Sequence, residues 1–148
     1  MSAVKNPFLS WPIWAVLSAA FAALTAIFAK VGVENVNSDF ATFVRTIVIL
    51  CAIAAILAVN GQWQPPGSVS ARSYGFLVLS GLATGASWLC YFRALKLGDA
   101  ARVAPIDKLS VVMVAVFAVL FLGERLTLPN WCGVALIAAG AILVAYKG

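Results

Sequence analysis

Five apolar runs, each close to the length of a bilayer-crossing helix, take up most of this chain and limit what it can fold into. A helix needs roughly 20 apolar residues to cross the hydrocarbon core, where every backbone N–H and C=O has to be satisfied within the segment itself. The runs are expected at about Trp11–Val31, Asp39–Val59, Ser73–Leu95, Ala100–Leu122 and Leu128–Tyr146. The links "GVENVNS", "NGQWQPPGSVSAR", "KLGD" and "GERLT" are too short to fold as domains outside the membrane. The expected fold is therefore all-α: a polytopic membrane bundle of five transmembrane helices forming one domain over residues 1–148. Any recognition has to take place inside the embedded part.

Composition supports the same class. The chain is 64% hydrophobic and 10% charged, where soluble domains are about half apolar and roughly a quarter charged. Lys5 before an apolar run imitates a signal peptide, but the run is too long for one and is read as a retained first span. Cys51, Cys90 and Cys132 fall in three different spans, and the sequence holds no histidine. They are expected to be small buried hydrophobes rather than a metal set. There is no GxSxG, phosphate loop or exposed basic surface, so neither an enzyme, nor a cofactor or metal, nor a nucleic-acid partner is expected.

Local signals punctuate the helices. Ser10 is expected to cap the first, Trp11 marks an interface, and Pro12 takes a first-turn position where its missing N–H is not needed. Gly32 offers a left-handed end, Ser38–Asp39 a capped and negatively charged start, and Gly98–Asp99 a stop followed by a cap. An odd number of spans puts the termini on opposite sides. The N-terminal side, here side A, carries Lys5, Arg72 and Arg125; side B carries Lys96, Arg102 and Lys147, with Lys30 and Arg93 in the last turns of their spans. That bias is too small to fix orientation. Either another determinant sets it, or the chain inserts both ways and pairs with an inverted copy.

Lys30, Arg45, Asp107 and Lys108 all lie within the spans, where a central charge costs about 2.5–3.5 kcal/mol and needs a partner or water. Arg45 and Asp107 both fall about two turns from side B, so they can meet in one vestibule. Successive helical positions point about 100° apart, so Asp107 is expected to answer Arg45 or Lys30 rather than its neighbour. Lys108 could then reach Glu34 or a carbonyl. Two readings stay open: a pair that gates a pathway, and a purely structural buried pair. Lys30 is also explained as a snorkelling last-turn lysine.

Ser80, Thr84, Ser87 and Tyr91 form a polar stripe along the third span, with Trp88 beside it; Trp14, Ser18 and Thr25 form a weaker one on the first. Such stripes line a cavity or make interhelical hydrogen bonds. Gly81 and Gly85 have the spacing for close helix approach. Pro105 removes a backbone donor and should loosen the fourth helix just before Asp107, unless the helix starts late enough for the proline to sit in its first turn.

The run "WLCYFRALKLGDAARVAPIDKLSVVMVAVFAVLFLGERLTLPNWCGVALIAAGAILV" resembles the second part of an EamA repeat of the drug/metabolite transporter superfamily, and "AFAALTAIFAKVGVENVNSDFATFVRTIVIL" looks like the opening of its short five-helix bacterial members. The resemblance rests on the aromatic-Ala-Leu helix end, the Gly-Asp turn, the early proline, the Gly-Glu-Arg-Leu-Thr turn around Gly123 and Glu124, and the closing Gly-rich helix. It implies a secondary transporter or exporter of small metabolites or drugs in the bacterial inner membrane. Larger members resemble two such repeats in opposite orientation, so a single repeat implies a homodimer, with an antiparallel pair the economical arrangement given the weak charge bias, or a related partner chain. The candidate substrate and coupling residues are Asp107, Arg45, Lys108, Lys30, Glu34, Trp14, Thr84, Ser87, Trp88 and Tyr91, in contact with a small-molecule substrate and membrane lipids. Asp107 is the first candidate for proton coupling and Glu34 the second. The cationic surplus near side B hints at anionic substrates. The alternatives are a translocase for lipid-linked head groups and a non-transporting membrane partner subunit.

Overall fold

The apolar runs all become helices in the computed structural model, which describes residues 10–65 and 67–146. The helices are α1 (Trp11–Gly32), α2 (Ser38–Val59), α3 (Ala71–Leu97), α4 (Ala100–Asp107), α5 (Leu109–Phe121) and α6 (Leu128–Ala145). α4 and α5 together form the fourth of five spans long and apolar enough to cross a membrane, and no strand occurs among the described residues. Lys5 and Lys147, counted above in the charge balance, lie outside the described residues.

The fourth span is broken, and the proline explains why. Pro105 has no N–H, which leaves the carbonyl of Ala101 without its helical donor. Three residues on, the Lys108 N–H is shared between the carbonyls of Ala104 (3.3 Å) and Pro105 (3.1 Å), and the Lys108 carbonyl accepts from Val111 at 3.0 Å. This tightening to three-residue spacing ends α4 at Asp107. The sequence placed the loosening just before Asp107; it falls immediately after it.

Three end signals are also corrected. Asn37, not Ser38, caps α2: its side-chain oxygen accepts from the N–H groups of Asp39 (2.9 Å) and Phe40 (3.1 Å). Gly32 stays helical, and α1 ends at Val33 with a right-handed φ of −92°. Ser10 takes the N-cap position with extended backbone but makes no side-chain cap bond. The left-handed glycine that matters is Gly123 at φ 68°, which lets the Glu124 N–H turn back to the Ala118 carbonyl at 3.1 Å and close α5.

α3 is the central strut, packed against α1, α2 and α4, while α6 packs along α4 and α5. The buried cluster is small and off-centre: Ala29, Val33, Phe92 and Leu95, with Ala41, Tyr91, Ala100 and Val103 against it. It joins the side-B ends of α1 to α4. Toward side A the apolar surface of α1, α2 and α3 faces outward: Val16, Phe21, Leu50, Phe76 and Leu77 are all exposed. A soluble protein could not leave so much apolar surface uncovered; in lipid it is the expected exterior. For the same reason Cys51, Cys90 and Cys132 are exposed free thiols rather than buried ones. A Cβ added at Gly81 or Gly85 would meet nothing within 4 Å, so their spacing serves no helix contact within the chain.

Candidate functional site

Two sets of polar side chains are built on this frame. The first lies at the side-B rim and ties helices together. The Lys30 amine, on the last turn of α1, donates to the carbonyls of Leu95 (2.8 Å) and Gly98 (2.9 Å). These belong to the end of α3, where carbonyls have no helical donor and the helix dipole is negative, so a cation there satisfies both. Arg93 meets Asp39 fork to fork, Nε to Oδ1 at 2.9 Å and Nη2 to Oδ2 at 2.7 Å, joining α3 to the start of α2. The Lys96 amine donates to the Val36 carbonyl at 2.6 Å, fixing the α1–α2 link to α3. Neither of the last two ties was expected from the sequence. Arg93 and Lys96 at i and i+3 on one helix end, opposite Asp39 in a first turn, were the available signal.

The second set lies deeper. Arg45 is seven residues into α2 and Asp107 seven residues beyond the first residue of α4, so both are about 10 Å along their axes from side B. Between them is a cavity of about 170 Å³ lined by Ala22, Thr25, Arg45, Ser87, Trp88, Tyr91, Asp107 and Lys108. Four spans contribute, and the break after Asp107 forms one wall. The Arg45 guanidinium lies 4.2 Å from the centroid of the Trp88 ring and 5.4 Å from that of Phe92. This stacking supports the charge inside the membrane without a carboxylate. Among the described residues no ion pair or hydrogen bond reaches it.

Asp107 and Arg45 therefore share a vestibule, as expected, but do not pair. Asp107 pairs instead with Lys108, Oδ2 to Nζ at 3.3 Å, against the expectation that these neighbours point apart. The 100° step describes where the side chains leave the backbone. The long lysine stem folds back across it at the point where the helix opens.

Six of the ten expected site residues come together at this cavity: Arg45, Ser87, Trp88, Tyr91, Asp107 and Lys108. Lys30 is engaged at the rim. Glu34 is exposed in the turn after α1, away from the cavity lining. Trp14 is exposed near the start of α1. Thr84 is exposed and donates back to the Ser80 carbonyl of its own helix at 2.9 Å. The α3 stripe thus divides, with its side-B half in the cavity and its other half on the outer surface.

Three apolar clefts adjoin the polar centre. One of about 520 Å³ lies between α1 and α2, lined by Phe28, Phe40, Val44 and Phe92 among others, and shares Thr25 and Arg45 with the central cavity. One of about 510 Å³ runs along the alanine-rich face of α1 to Tyr91, Pro105 and Lys108. The third, about 410 Å³, lies among α3, α4 and α6 and includes Cys90 and Asp107. It also includes Arg102, one of the side-B cations. Among the described residues no group of histidine, cysteine and carboxylate side chains is arranged to hold a metal.

A five-span bundle with ionisable groups round a cavity at a broken helix is the architecture of a membrane transporter. The chain belongs to the EamA-like transporter family, whose profile matches residues 9–146. It is 74% identical over 136 residues to a Sinorhizobium sp protein named "Uncharacterized transporter in cobO 3'region", covering 92% of this chain and 96% of that one. An uncharacterized protein of Methanocaldococcus jannaschii is 29% identical over 134 residues, 89% of this chain and 93% of its own length. No solved structure matches the chain. The protein is a multi-pass membrane transporter of this family.

Proposed function

We propose that the protein is a secondary transporter or exporter of small metabolites or drugs in the bacterial cytoplasmic membrane, binding substrate at the cavity between α1, α2, α3 and the α4–α5 break. The observation that carries this reading is the placement of Arg45, Asp107 and Lys108 together, at equal depth, beside a discontinuous helix. Charges at that depth are costly to keep, and a span interrupted next to them leaves backbone groups free for a ligand. Asp107 is the coupling group. Its carboxylate is held by Lys108, a partner that a proton or a substrate can replace. Tyr91 and Trp88 supply the aromatic walls.

The working unit is a dimer, with access changed by rocking of the two protomers. Support comes from the uneven packing: one small core at side B, and exposed apolar faces on α1, α2 and α3 elsewhere. An antiparallel homodimer accords with the near-even lysine and arginine count on the two sides.

A second reading, translocation of a lipid-linked head group, is favoured by one observation: the α1–α2 cleft, flanked by the exposed Phe28 and Phe40, joins the charged centre through Arg45. Purified protein in proteoliposomes, given a pH gradient and a radiolabelled panel of carboxylates, amino acids, cationic drugs and labelled lipids, separates the cases. Uptake of a soluble compound supports the main reading. Movement of lipid alone supports the second, and a chain that moves nothing is a partner subunit. Tags at both termini, probed for sidedness in cells, should report both orientations if the dimer is antiparallel.

A further inference from the structure

We infer that the substrate is a small amphiphilic anion, its carboxylate or phosphate on Arg45 and its apolar body in the α1–α2 cleft. This rests on the reading of the cavity as the transport site and names the chemistry it takes. Lys30, Arg93 and Lys96 are each engaged by carbonyls or a carboxylate of a neighbouring segment. They tie helices, and their positive charge is not evidence of ligand preference. Arg45 differs: its guanidinium carbon lies 4.2 Å from the centroid of the Trp88 ring and 5.4 Å from that of Phe92, while its N–H donors meet no acceptor among the described residues. A guanidinium supported by aromatic rings keeps its N–H donors for another acceptor, and a carboxylate or phosphate can take them by two parallel hydrogen bonds.

The charge balance of the lining agrees. Asp107 is neutralised by Lys108 at 3.3 Å, which leaves Arg45 as the uncompensated charge of the central cavity. A cationic ligand would add like charge, and a ligand without an acceptor would leave the Arg45 donors unmatched. An anion satisfies both, and Thr25, Ser87 and Tyr91 also line the cavity.

The apolar half of the ligand follows from position. Arg45 lines both the polar cavity of about 170 Å³ and the cleft of about 520 Å³ between α1 and α2. The cleft's other walls are largely apolar, Phe28, Phe40, Val44 and Phe92 among them. Its volume lies within the roughly 300–1,000 Å³ of small-molecule sites. A head group bound at Arg45 would direct its tail there.

The test uses purified protein in phosphatidylcholine nanodiscs and three radiolabelled probes of equal chain length: decanoate, decanol and decyltrimethylammonium. Empty discs measure partition into lipid. Decanoate should bind saturably, at least tenfold tighter than the other two, and Arg45→Gln should remove that preference while Arg125→Gln, at the side-A turn, leaves it intact. Decanoate uptake no different from empty discs, equal affinity for the cationic probe, or preference unchanged in a folded Arg45→Gln would overturn the proposal. The probe comparison within wild type stands even if the variant does not fold. Discs containing phosphatidylglycerol identify the source of the anion: Arg45-dependent competition points to a lipid head group, and its absence to a free amphiphile, both supporting the shared chemistry. Decanoate that binds but enters proteoliposomes no faster than protein-free vesicles would sink the transport reading alone. Transport of cations unaffected by Arg45→Gln would sink this one alone.

Discussion

The rim and the cavity hold the same kinds of side chain at different depths. At the rim Lys30, Arg93 and Lys96 each end on an acceptor from another segment, at 2.6–2.9 Å. About two turns deeper, Arg45 ends on aromatic rings and Asp107 on a neighbouring lysine at 3.3 Å. The rim contacts are short, specific and sit over the small core of Ala29, Val33, Phe92 and Leu95. The deeper groups are looser and line open space. A charge near the membrane surface can be given to structure because helix ends there offer unsatisfied carbonyls. Deeper in, helical backbone groups are already paired, so a charge has only side chains, a ligand or a helix break to answer it. Depth therefore separates the cations that hold the bundle from those available to a substrate.

Substitutions at the two levels should separate stability from transport. The largest loss of stability is expected for Lys30→Met, which removes the donor for two α3 carbonyls. At about 1–3 kcal/mol for an acceptor left unsatisfied, the fall should be about 2–3 kcal/mol, read by thermal unfolding in detergent and by a lower folded yield. A fall below about 0.5 kcal/mol would show that water replaces the amine and that the rim is not a structural tie. Arg45→Gln should cost less, about 1 kcal/mol, because only a cation–π contact is lost; a loss as large as that of Lys30→Met would make Arg45 a strut and erase the distinction. Asp39→Asn is expected to lower the unfolding temperature least of the three, since the Arg93 pair is about half exposed and such pairs contribute little. Its effect should shrink further as salt is raised.

The spans themselves were plain in the sequence. An uninterrupted apolar run has one solution in lipid, and the observed ends fall within two residues of the expected ones. The end signals were less secure, because a cap depends on which side chain reaches the free N–H groups, and Asn37 competes with Ser38 for that position. The meeting of Arg45 with Asp107 and Lys108 could be anticipated by counting turns from side B, and Ser87, Trp88 and Tyr91 from the polar stripe of the third span. The rim ties could not. They depend on how α1 and α3 are rotated about their axes, and a helix apolar on nearly every face carries little periodic signal for rotation. Thr84 and Trp14 lie outside the cavity lining for the same reason: a polar stripe states that one face differs, without stating how far along the helix a neighbour covers it. The Pro105 defect was visible, but its release at Lys108 depended on how the downstream N–H groups shared acceptors.

The central claim is that the deep charges carry transport while the rim charges carry structure. Its most direct test is pH-gradient-driven uptake into proteoliposomes, normalised to folded protein, for Asp107→Asn against Lys96→Gln, using the panel compounds that wild type moves. Asp107→Asn should lose gradient-driven uptake at least tenfold while its unfolding temperature and dimer content stay at wild-type values, and Lys96→Gln should keep uptake per folded molecule. Full uptake by Asp107→Asn, or equal loss in both variants, would contradict the account.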